Sequence, residues 1–311
     1  MKHKHSVSPI NNKTILKKEY IIRIKIQKIN ISFFERMYIF ISIFLIYPTL
    51  SKELISIYNK YSYITLTIRG TGVKRVFYEK DHNKRCYAFV RPDEVYINNI
   101  NQSVINFKYN FSEYRNTVKL VWNNESPAIT CMFYRCSDII EIDFSYFNFS
   151  SISGDLGGIF NNCTSLTSLD LSNISISITH LNHIFFNCQS LTYLNLSTFD
   201  TSKVLNMEYM FYNCISLKSI NLSSFKTPEL LNANFMFQNC ILLTSVDISN
   251  FDLTNIIYMS LMFSNCTSLK TVKFPKSKTP NLHHIGSLFI NCTSLVSVDL
   301  SNFDTSNVIH M

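Results

Sequence analysis

The 311-residue chain is rich in aromatic residues and poor in charge, which excludes a disordered protein. It has 25 Phe and 17 Tyr, only 16% charged residues and six Gly. Disorder needs the opposite balance, low hydrophobicity with high net charge. The only Gly-x-Gly, from Gly70 to Gly72, lacks a third glycine, so the sequence has no dinucleotide-binding fingerprint.

Positive charge is concentrated at the front of the chain. Residues 1–130 hold 21 Lys and Arg against 9 Asp and Glu, a net charge of +12, whereas residues 131–311 hold 8 against 12, a net charge of −4. The densest basic stretch, residues 1–36, precedes an apolar run. Nucleic-acid binding calls for a basic stripe on a folded face, so we expect a targeting segment or tail and no nucleic-acid partner.

The apolar run covers residues 37–51, MYIFISIFLIYPTLS, and has no charged residue. It is too short for a membrane-spanning helix, which needs about 20 residues. It suits the core of a secretory signal, with Thr49 and Ser51 near a cleavage point. The 36 residues before the run are many for a secretory signal, which leaves two alternatives. Either translation starts at Met37, or the run is a buried core segment of the next domain. We predict a basic leader with a signal or anchor over residues 1–51, and membrane contact only through residues 37–51 if they stay uncleaved.

Residues 52–130 have no repeat and a strand-like pattern. The runs YITLTIRG (63–70), RCYAFV (85–90), EVYIN (94–98) and TVKLVW (117–122) are β-branched and aromatic, with turn residues between them. We predict a small β-rich N-terminal cap whose last strand, ending at Trp122, covers the first repeat. A free-standing ligand domain is the alternative.

A repeat of about 26 residues fills residues 131–311. Seven cysteines, called the ladder cysteines below, mark it at positions 136, 163, 188, 214, 240, 266 and 292. Each has Phe three residues before it and Leu or Ile three residues after it. Units of this length that cannot bury their own apolar face stack into a solenoid.

Spacing within one unit predicts its shape. Apolar residues recur in steps of three and four before the cysteine, which predicts a helical or 3₁₀ arc, and then in steps of two, which predicts a short strand. The predicted fold is an α/β leucine-rich-repeat-like solenoid of about seven rungs, one rung for each unit. The sequence stops at Met311 in mid-unit, so we expect the solenoid to be truncated at this end.

The unit MFxNCxSLxxLDLSNFDTSxVxxM resembles the repeat of BspA-like leucine-rich-repeat surface proteins, which overlaps the repeats of mycoplasma lipoproteins. Residues 210–214 (MFYNC) and 301–308 (SNFDTSNV) match it closely, whereas residues 151–158 and 275–280 depart from it. The resemblance implies a secreted or cell-surface protein that acts in adhesion or protein binding and has no catalytic residues.

The conspicuous Cys and His residues fit structural roles. One cysteine on each rung gives a column of buried thiols, whereas zinc needs four converging ligands, so we expect no metal and no cofactor. Cys86 and Cys131 lie outside the ladder and could pair with each other, or with Cys136, in a secreted protein. His180 and His284 share the position eight residues before a ladder cysteine, where other rungs have Asn; a polar turn position explains both.

The outward residues of the predicted strands form the candidate partner-binding face. Small, polar and acidic side chains dominate it, and a solvated sheet face without a partner is the alternative. The candidate residues are Asp170, Tyr193, Asn195, Asn221, Asp247, Lys273 and Asp299.

Several Asn-x-Ser/Thr sequons would be glycosylated if the chain is secreted. The surface candidates are Asn101, Asn110, Asn124 and Asn148, and a glycan on Asn195 or Asn221 would obstruct the binding face. We interpret Asn162, Asn265 and Asn291, each beside a ladder cysteine, as turn residues.

No metalloprotease, serine-hydrolase, P-loop or kinase motif occurs in the sequence, so an enzyme is not expected. The sequence predicts an exported, non-catalytic repeat protein that binds a protein or another macromolecule at the cell surface or matrix. An intracellular leucine-rich-repeat scaffold, with residues 37–51 buried in the front domain, is the alternative.

Overall fold

The described part of the chain is built from twelve β-strands and tight turns, and it contains no helix. A computed structural model describes residues 62–78, 90–123, 129–149, 152, 154–174 and 176–311, all of them within one unit, Asn59–Met311. The strands are β1 (Ser62–Arg69), β2 (Gly72–Arg75), β3 (Glu94–Ile97), β4 (Ile100–Asn101), β5 (Lys108–Phe111), β6 (Arg115–Trp122), β7 (Ile139–Asp143), β8 (Ser168–Asp170), β9 (Tyr193–Asn195), β10 (Ser245–Asp247), β11 (Thr271–Lys273) and β12 (Ser297–Val298).

The front strands pair antiparallel and continue directly into the repeats. One seven-stranded sheet has the order β4-β3-β6-β1-β7-β8-β9, and β2 pairs separately with β5. Strand β1 pairs with β6 on one edge and with β7, the first strand of the repeats, on the other. The strand that ends at Trp122, β6, has β1 and β3 on its two edges, so it does not pair with β7.

The repeats stack in parallel, as in a solenoid. Strands β7, β8 and β9 pair in parallel, as do β10, β11 and β12. Residues 219–221, at the equivalent position between these groups, form no strand, so the sheet is interrupted there. A second column of parallel bridges runs without interruption through Asp155, His180, Asn206, Asn232, Tyr258, His284 and His310.

The arc before each ladder cysteine consists of two tight turns, so the predicted helical arc is wrong for the described residues. Its amides bond across rungs, as the Phe185 N–H does to the Met210 carbonyl 3.0 Å away. Each turn contains a residue in the left-handed conformation, such as Tyr209 (φ 57°) or Asn213 (φ 58°). A left-handed residue cannot continue a right-handed helix. The apolar spacing of three and four residues therefore does not correspond to a helix here.

Columns of identical side chains form one continuous core. The Phe rings three residues before the ladder cysteines stack from Phe133 to Phe289, with centroids 5.2–6.1 Å apart. All the ladder cysteines are free thiols and all but Cys292 are fully buried, as the sequence predicted. The buried face of β1 and β6 belongs to the same core.

Asparagines next to the ladder cysteines form a second hydrogen-bonded column. The side-chain amide of Asn187 donates to the side-chain oxygen of Asn162 at 2.7 Å, and that of Asn213 donates to Asn187 at 2.6 Å. Asn265 and Asn291 continue the pattern in later rungs at 2.8 Å. These residues are left-handed, a conformation that Asn tolerates better than most residues. Their interpretation as turn residues is confirmed.

Candidate functional site

The outward side of the repeat strands, called the sheet face below, presents the candidate residues to solvent. Short strands alternate inward and outward side chains, so a buried residue such as Val246 or Val272 lies between two exposed ones. The predicted residues are exposed, except half-buried Asn195. The structure divides them between two sheets: Asp170, Tyr193 and Asn195 lie in the first, Asp247 and Lys273 in the second, with Asn221 in the interrupted rung and Asp299 directly after β12.

The Asp and Asn residues at the ends of the repeat strands also have a structural role that was not predicted from the sequence. The side-chain oxygen of Asp170 accepts the backbone N–H of Ser172 at 2.9 Å, and Asp247 accepts that of Ser249 at 3.0 Å. Asn195 and Asn221 make the equivalent bond. Such Asx turns end each strand and reverse the chain. The choice between Asp and Asn at this position therefore changes the charge of the sheet face without changing the turn.

The front strands extend the sheet face beyond the repeats. Glu141 on β7 lies in register with Thr67 on β1 and with Ser168 on β8. The Arg115 guanidinium on β6 reaches the Glu141 carboxylate at 2.8 Å, and the Lys119 ammonium sits 3.8 Å above the Tyr63 ring. The column of outward residues could have identified Glu141, but nothing local in the sequence could have identified Arg115 or Lys119, because β-sheet pairing brought them there.

A shallow pocket of about 270 Å³ opens on this face across β7, β8 and β9. The residues that line it include Asp143, Asp170, Ser172, Asn173 and Tyr193. Tyr193 is 56% exposed, the largest exposed side chain of the predicted set. No ion pair joins Asp143 or Asp170 to another described residue. The pocket is therefore acidic, with one aromatic wall.

The opposite end of the sheet face has its charge partly neutralised. The Lys273 ammonium lies 3.2 Å from the Asp247 carboxylate in the preceding rung, and both groups are mostly exposed. Hydrogen bonds from the Ser249 hydroxyl and backbone, together with Lys273, hold the pKa of Asp247 below its ordinary value. Of the predicted residues, those near β8 and β9 thus combine unpaired acidity, an aromatic group and a concave surface.

Cysteine and histidine do not assemble a metal site in the part of the chain that the structure describes, where no group of three or more such ligands converges. Each ladder thiol from Cys163 onward donates to the Phe carbonyl of the preceding rung at 2.9–3.2 Å. Cys131 is disulfide-bonded, and Cys136 is free, so a Cys131–Cys136 pair is excluded. Cys86 lies outside the described residues.

The sequons differ in how accessible their amides are. Asn101, Asn110 and Asn148 are exposed, whereas Asn124 lies outside the described residues. The amides of Asn265 and Asn291 donate within the Asn column. Asn265 is half-buried and Asn291 is exposed, but an amide already engaged in a hydrogen bond is a poorer acceptor for a glycan, so the first group is favoured.

Comparisons with known proteins agree with the repeat. A family model described as a BspA type leucine rich repeat region matches residues 86–206 in six copies. The matched repeats are therefore of the BspA-like leucine-rich-repeat type. A second model, described as a Mycoplasma protein of unknown function, DUF285, matches residues 154–277.

One solved structure is similar, a leucine-rich-repeat protein of T. pallidum, at 21% identity with a TM-score of 0.32, covering 45% of this chain and 70% of that one. No curated protein matches the sequence. Among the described residues, no helix is long and apolar enough to cross a membrane; the predicted signal or anchor segment, residues 37–51, lies outside them.

Proposed function

We propose that the protein is a non-catalytic binding protein of the cell surface or the secreted fraction, and that it binds a protein or another macromolecule through the sheet face. The repeat family supports a protein-binding role in general. The observation that carries the choice of face is the acidic pocket at Asp143, Asp170 and Tyr193, because it is concave and lies within a sheet face that runs from β3 to β9.

Export is supported by two independent features. Cys131 is disulfide-bonded, and disulfides persist in oxidising compartments and are rare in the cytosol. The sequence also places a basic stretch before an apolar one at residues 1–51, the order of a secretory signal. An intracellular scaffold is the competing function, and the buried free thiols fit either compartment. Exposed Asn101, Asn110 and Asn148 are the proposed glycan sites in a glycosylating host.

The antiparallel strands at the front act, in this proposal, as the N-terminal cap of a solenoid of about seven rungs. Val118, Leu120 and Trp122 of β6 are buried, and Trp122 packs edge-on to Phe147 with centroids 5.8 Å apart. Solenoids need a terminal element that hides their open core. Strand β1, hydrogen-bonded to the first repeat strand, provides the attachment.

The location is tested by protease treatment of intact source cells, followed by N-terminal sequencing of the mature chain. We expect external protease to remove the protein and cleavage to be found near Ser51. An intact N-terminus with full protection would contradict export and leave the scaffold function, and the partner search would then move to the cytoplasm.

The binding face is tested by adhesion of the purified chain to immobilised fibronectin, laminin and collagen, used as probes of surface and matrix proteins. Asp170→Asn removes a charge but keeps the Asx turn that Asn195 forms naturally, and Tyr193→Ser removes the aromatic wall. Both should weaken binding, whereas Asp252→Asn, whose oxygen accepts the Thr254 N–H in another turn, should not. Binding that survives both face variants would place the contact elsewhere, and no binding to any probe would contradict adhesion to these proteins.

A further inference from the structure

The sheet side of the solenoid comes apart at one rung. Residues 218–222, called the wedge segment below, hold the strand position between β9 and β10. Within residues 176–311, all of which the structure describes, one backbone hydrogen bond joins the wedge segment to another rung, from the Thr244 N–H to the Lys218 carbonyl at 3.2 Å. In the same stretch none joins it to β9, whereas β8 and β9 pair at three residues in register, as do β10 and β11. The sheet is therefore firmly bonded on both sides of a nearly unbonded segment.

The opposite side of the same rung, its arc, is bonded to both neighbouring rungs. The arc of the preceding rung donates four backbone hydrogen bonds to it at 2.7–3.0 Å, and it donates four to the arc of the following rung at 2.8–3.0 Å. The donor N–H groups are those of Leu181, His183, Phe185, Asn187, Met207, Tyr209, Phe211 and Asn213. A rung that is bonded along one side and open along the other has the geometry of a hinge, with the arc as its pivot.

The core also shows that this rung is turned relative to its neighbours. Ile220, the inward residue of the wedge segment, is half-buried, whereas the equivalent Leu194 and Val246 are only 8% and 2% exposed. The Phe211 ring is inclined by 11° and 13° to its two neighbours in the core Phe column, whereas the other neighbouring rings of that column are inclined by 3–8°. Its centroid distances, 5.6 and 5.2 Å, are within the range of the column. The rung has therefore rotated without moving away, which leaves Ile220 partly open to solvent.

This bonding pattern makes movement of the wedge segment low in free-energy cost. A backbone hydrogen bond contributes about 1 kcal/mol net, and segments with few backbone bonds open with the smallest free energies. The sequence of the segment does not prevent closure either. It contains no Pro, so every residue keeps its N–H, and its outward residues Ser219 and Asn221 are small. The wedge segment can therefore pair with β9 and release it again while the arc stays bonded.

We propose that the wedge segment is a hinge of the solenoid, at which two stiffer parts bend toward and away from each other. One part carries the sheet that ends at β9, and the other carries the sheet of β10, β11 and β12. Closure pairs the wedge segment with β9 and buries Ile220. Tyr193 and Asp247 lie on different parts, so bending changes the distance between them and with it the shape of the sheet face. The hinge rests on the bonding pattern alone and does not depend on the proposed binding function.

The test is disulfide trapping across the gap in the full chain, with oxidised glutathione as the oxidant. Tyr193→Cys with Ser219→Cys places two outward thiols on β9 and the wedge segment. The control, Ser245→Cys with Thr271→Cys, places two on β10 and β11, which pair in register. Paired strands lie about 4.8 Å apart, within the Cα range of a disulfide. We expect the control pair to oxidise first, and the hinge pair to oxidise completely but about tenfold more slowly, as for an open state favoured by about 1.4 kcal/mol. Peptide mass spectrometry identifies each linkage.

Two outcomes overturn the proposal. Equal oxidation rates for the two pairs would show that β9 and the wedge segment are stably paired in solution, and a hinge pair that never links in the folded chain would show that the rung is rigid. All four positions are exposed, so the reduced variants should keep the wild-type melting temperature. If the Tyr193 variant does not fold, Thr192→Cys with Lys218→Cys, compared with Thr244→Cys and Lys270→Cys, repeats the experiment at exposed positions one residue earlier.

Discussion

The thiol of Cys214 donates a hydrogen bond to the carbonyl oxygen of Phe185, one rung earlier, across 3.2 Å. Burial raises the pKa of Cys214 well above its ordinary value, and raises that of Cys266 to about 12. The thiolate is the reactive form of cysteine. Position and protonation therefore both make these ladder thiols inert in the folded chain.

We predict that Cys292, half-buried in this chain, is the first ladder thiol to react with a disulfide reagent under native, mildly alkaline conditions. The six fully buried ladder thiols should react only after unfolding, because their pKa values are raised and reagent cannot reach them. The measurement is peptide mass spectrometry after timed labelling. Native labelling of Cys214 as fast as that of Cys292 would contradict the packing of the column.

The disulfide of Cys131 gives a prediction of thiol number. The seven ladder cysteines are free and Cys131 is bonded, so Cys86 is the remaining cysteine of nine and is its predicted partner. The exported chain, denatured without reductant, should titrate as seven thiols, and as nine after reduction. Nine thiols before reduction would show that the bond does not form and would remove one support for export.

Variants of Asn213 should separate backbone strain from hydrogen bonding in the Asn column. Asn213→Gly keeps the left-handed conformation but loses the amide bond to Asn187, a loss of about 1 kcal/mol. Asn213→Ala adds the strain of a left-handed side chain and should lose roughly 1 kcal/mol more. The free energy of unfolding from urea titration measures both. Equal losses would show that the backbone conformation contributes nothing.

Gly154 should be intolerant of any side chain. Its φ is +80°, and a Cβ there would meet the Ser177 carbonyl oxygen at 2.3 Å. We expect Gly154→Ala to destabilise the fold by about 3 kcal/mol, from the clash together with the strained backbone. The matched control is Gly286→Ala, whose nearest atom would lie at 3.5 Å; its melting temperature should hardly change. A neutral Gly154→Ala would show that the backbone around Gly154 rearranges freely.

Asp247 should link stability to pH in the acidic range. The Ser249 hydroxyl is the largest cause that holds the pKa of Asp247 below its ordinary value. Because the pKa is lower in the folded state than in the unfolded state, the ionised carboxylate stabilises the fold. This stabilisation is complete above about pH 4 and is lost as pH falls through the folded-state pKa. Ser249→Ala should therefore lower stability at neutral pH but much less at low pH. Urea titrations at several pH values measure this. A loss independent of pH would contradict the assignment.

The sequence predicted the parts of this protein that repeat. The spacing of the ladder cysteines, with Phe133 and its equivalents three residues earlier, predicted stacked rungs, a column of buried thiols and an outward polar face at Asp170 and its equivalents. Those inferences were possible because every rung has the same short-range residue pattern, with an apolar side that only an adjacent rung can bury.

Only the tertiary structure decided how the columns interact and where the pocket forms. The helical arc was wrong because residues such as Tyr209 and Asn213 adopt left-handed conformations and the amides bond to the next rung. The position of β1 between β6 and the first rung, and with it the approach of Arg115 to Glu141, depends on strand pairing between distant segments. The sequence by itself determines the residue pattern of each rung, because that pattern lies within about 26 consecutive residues. Strand order, backbone conformation in the turns and charge pairing depend on contacts between segments far apart in the chain.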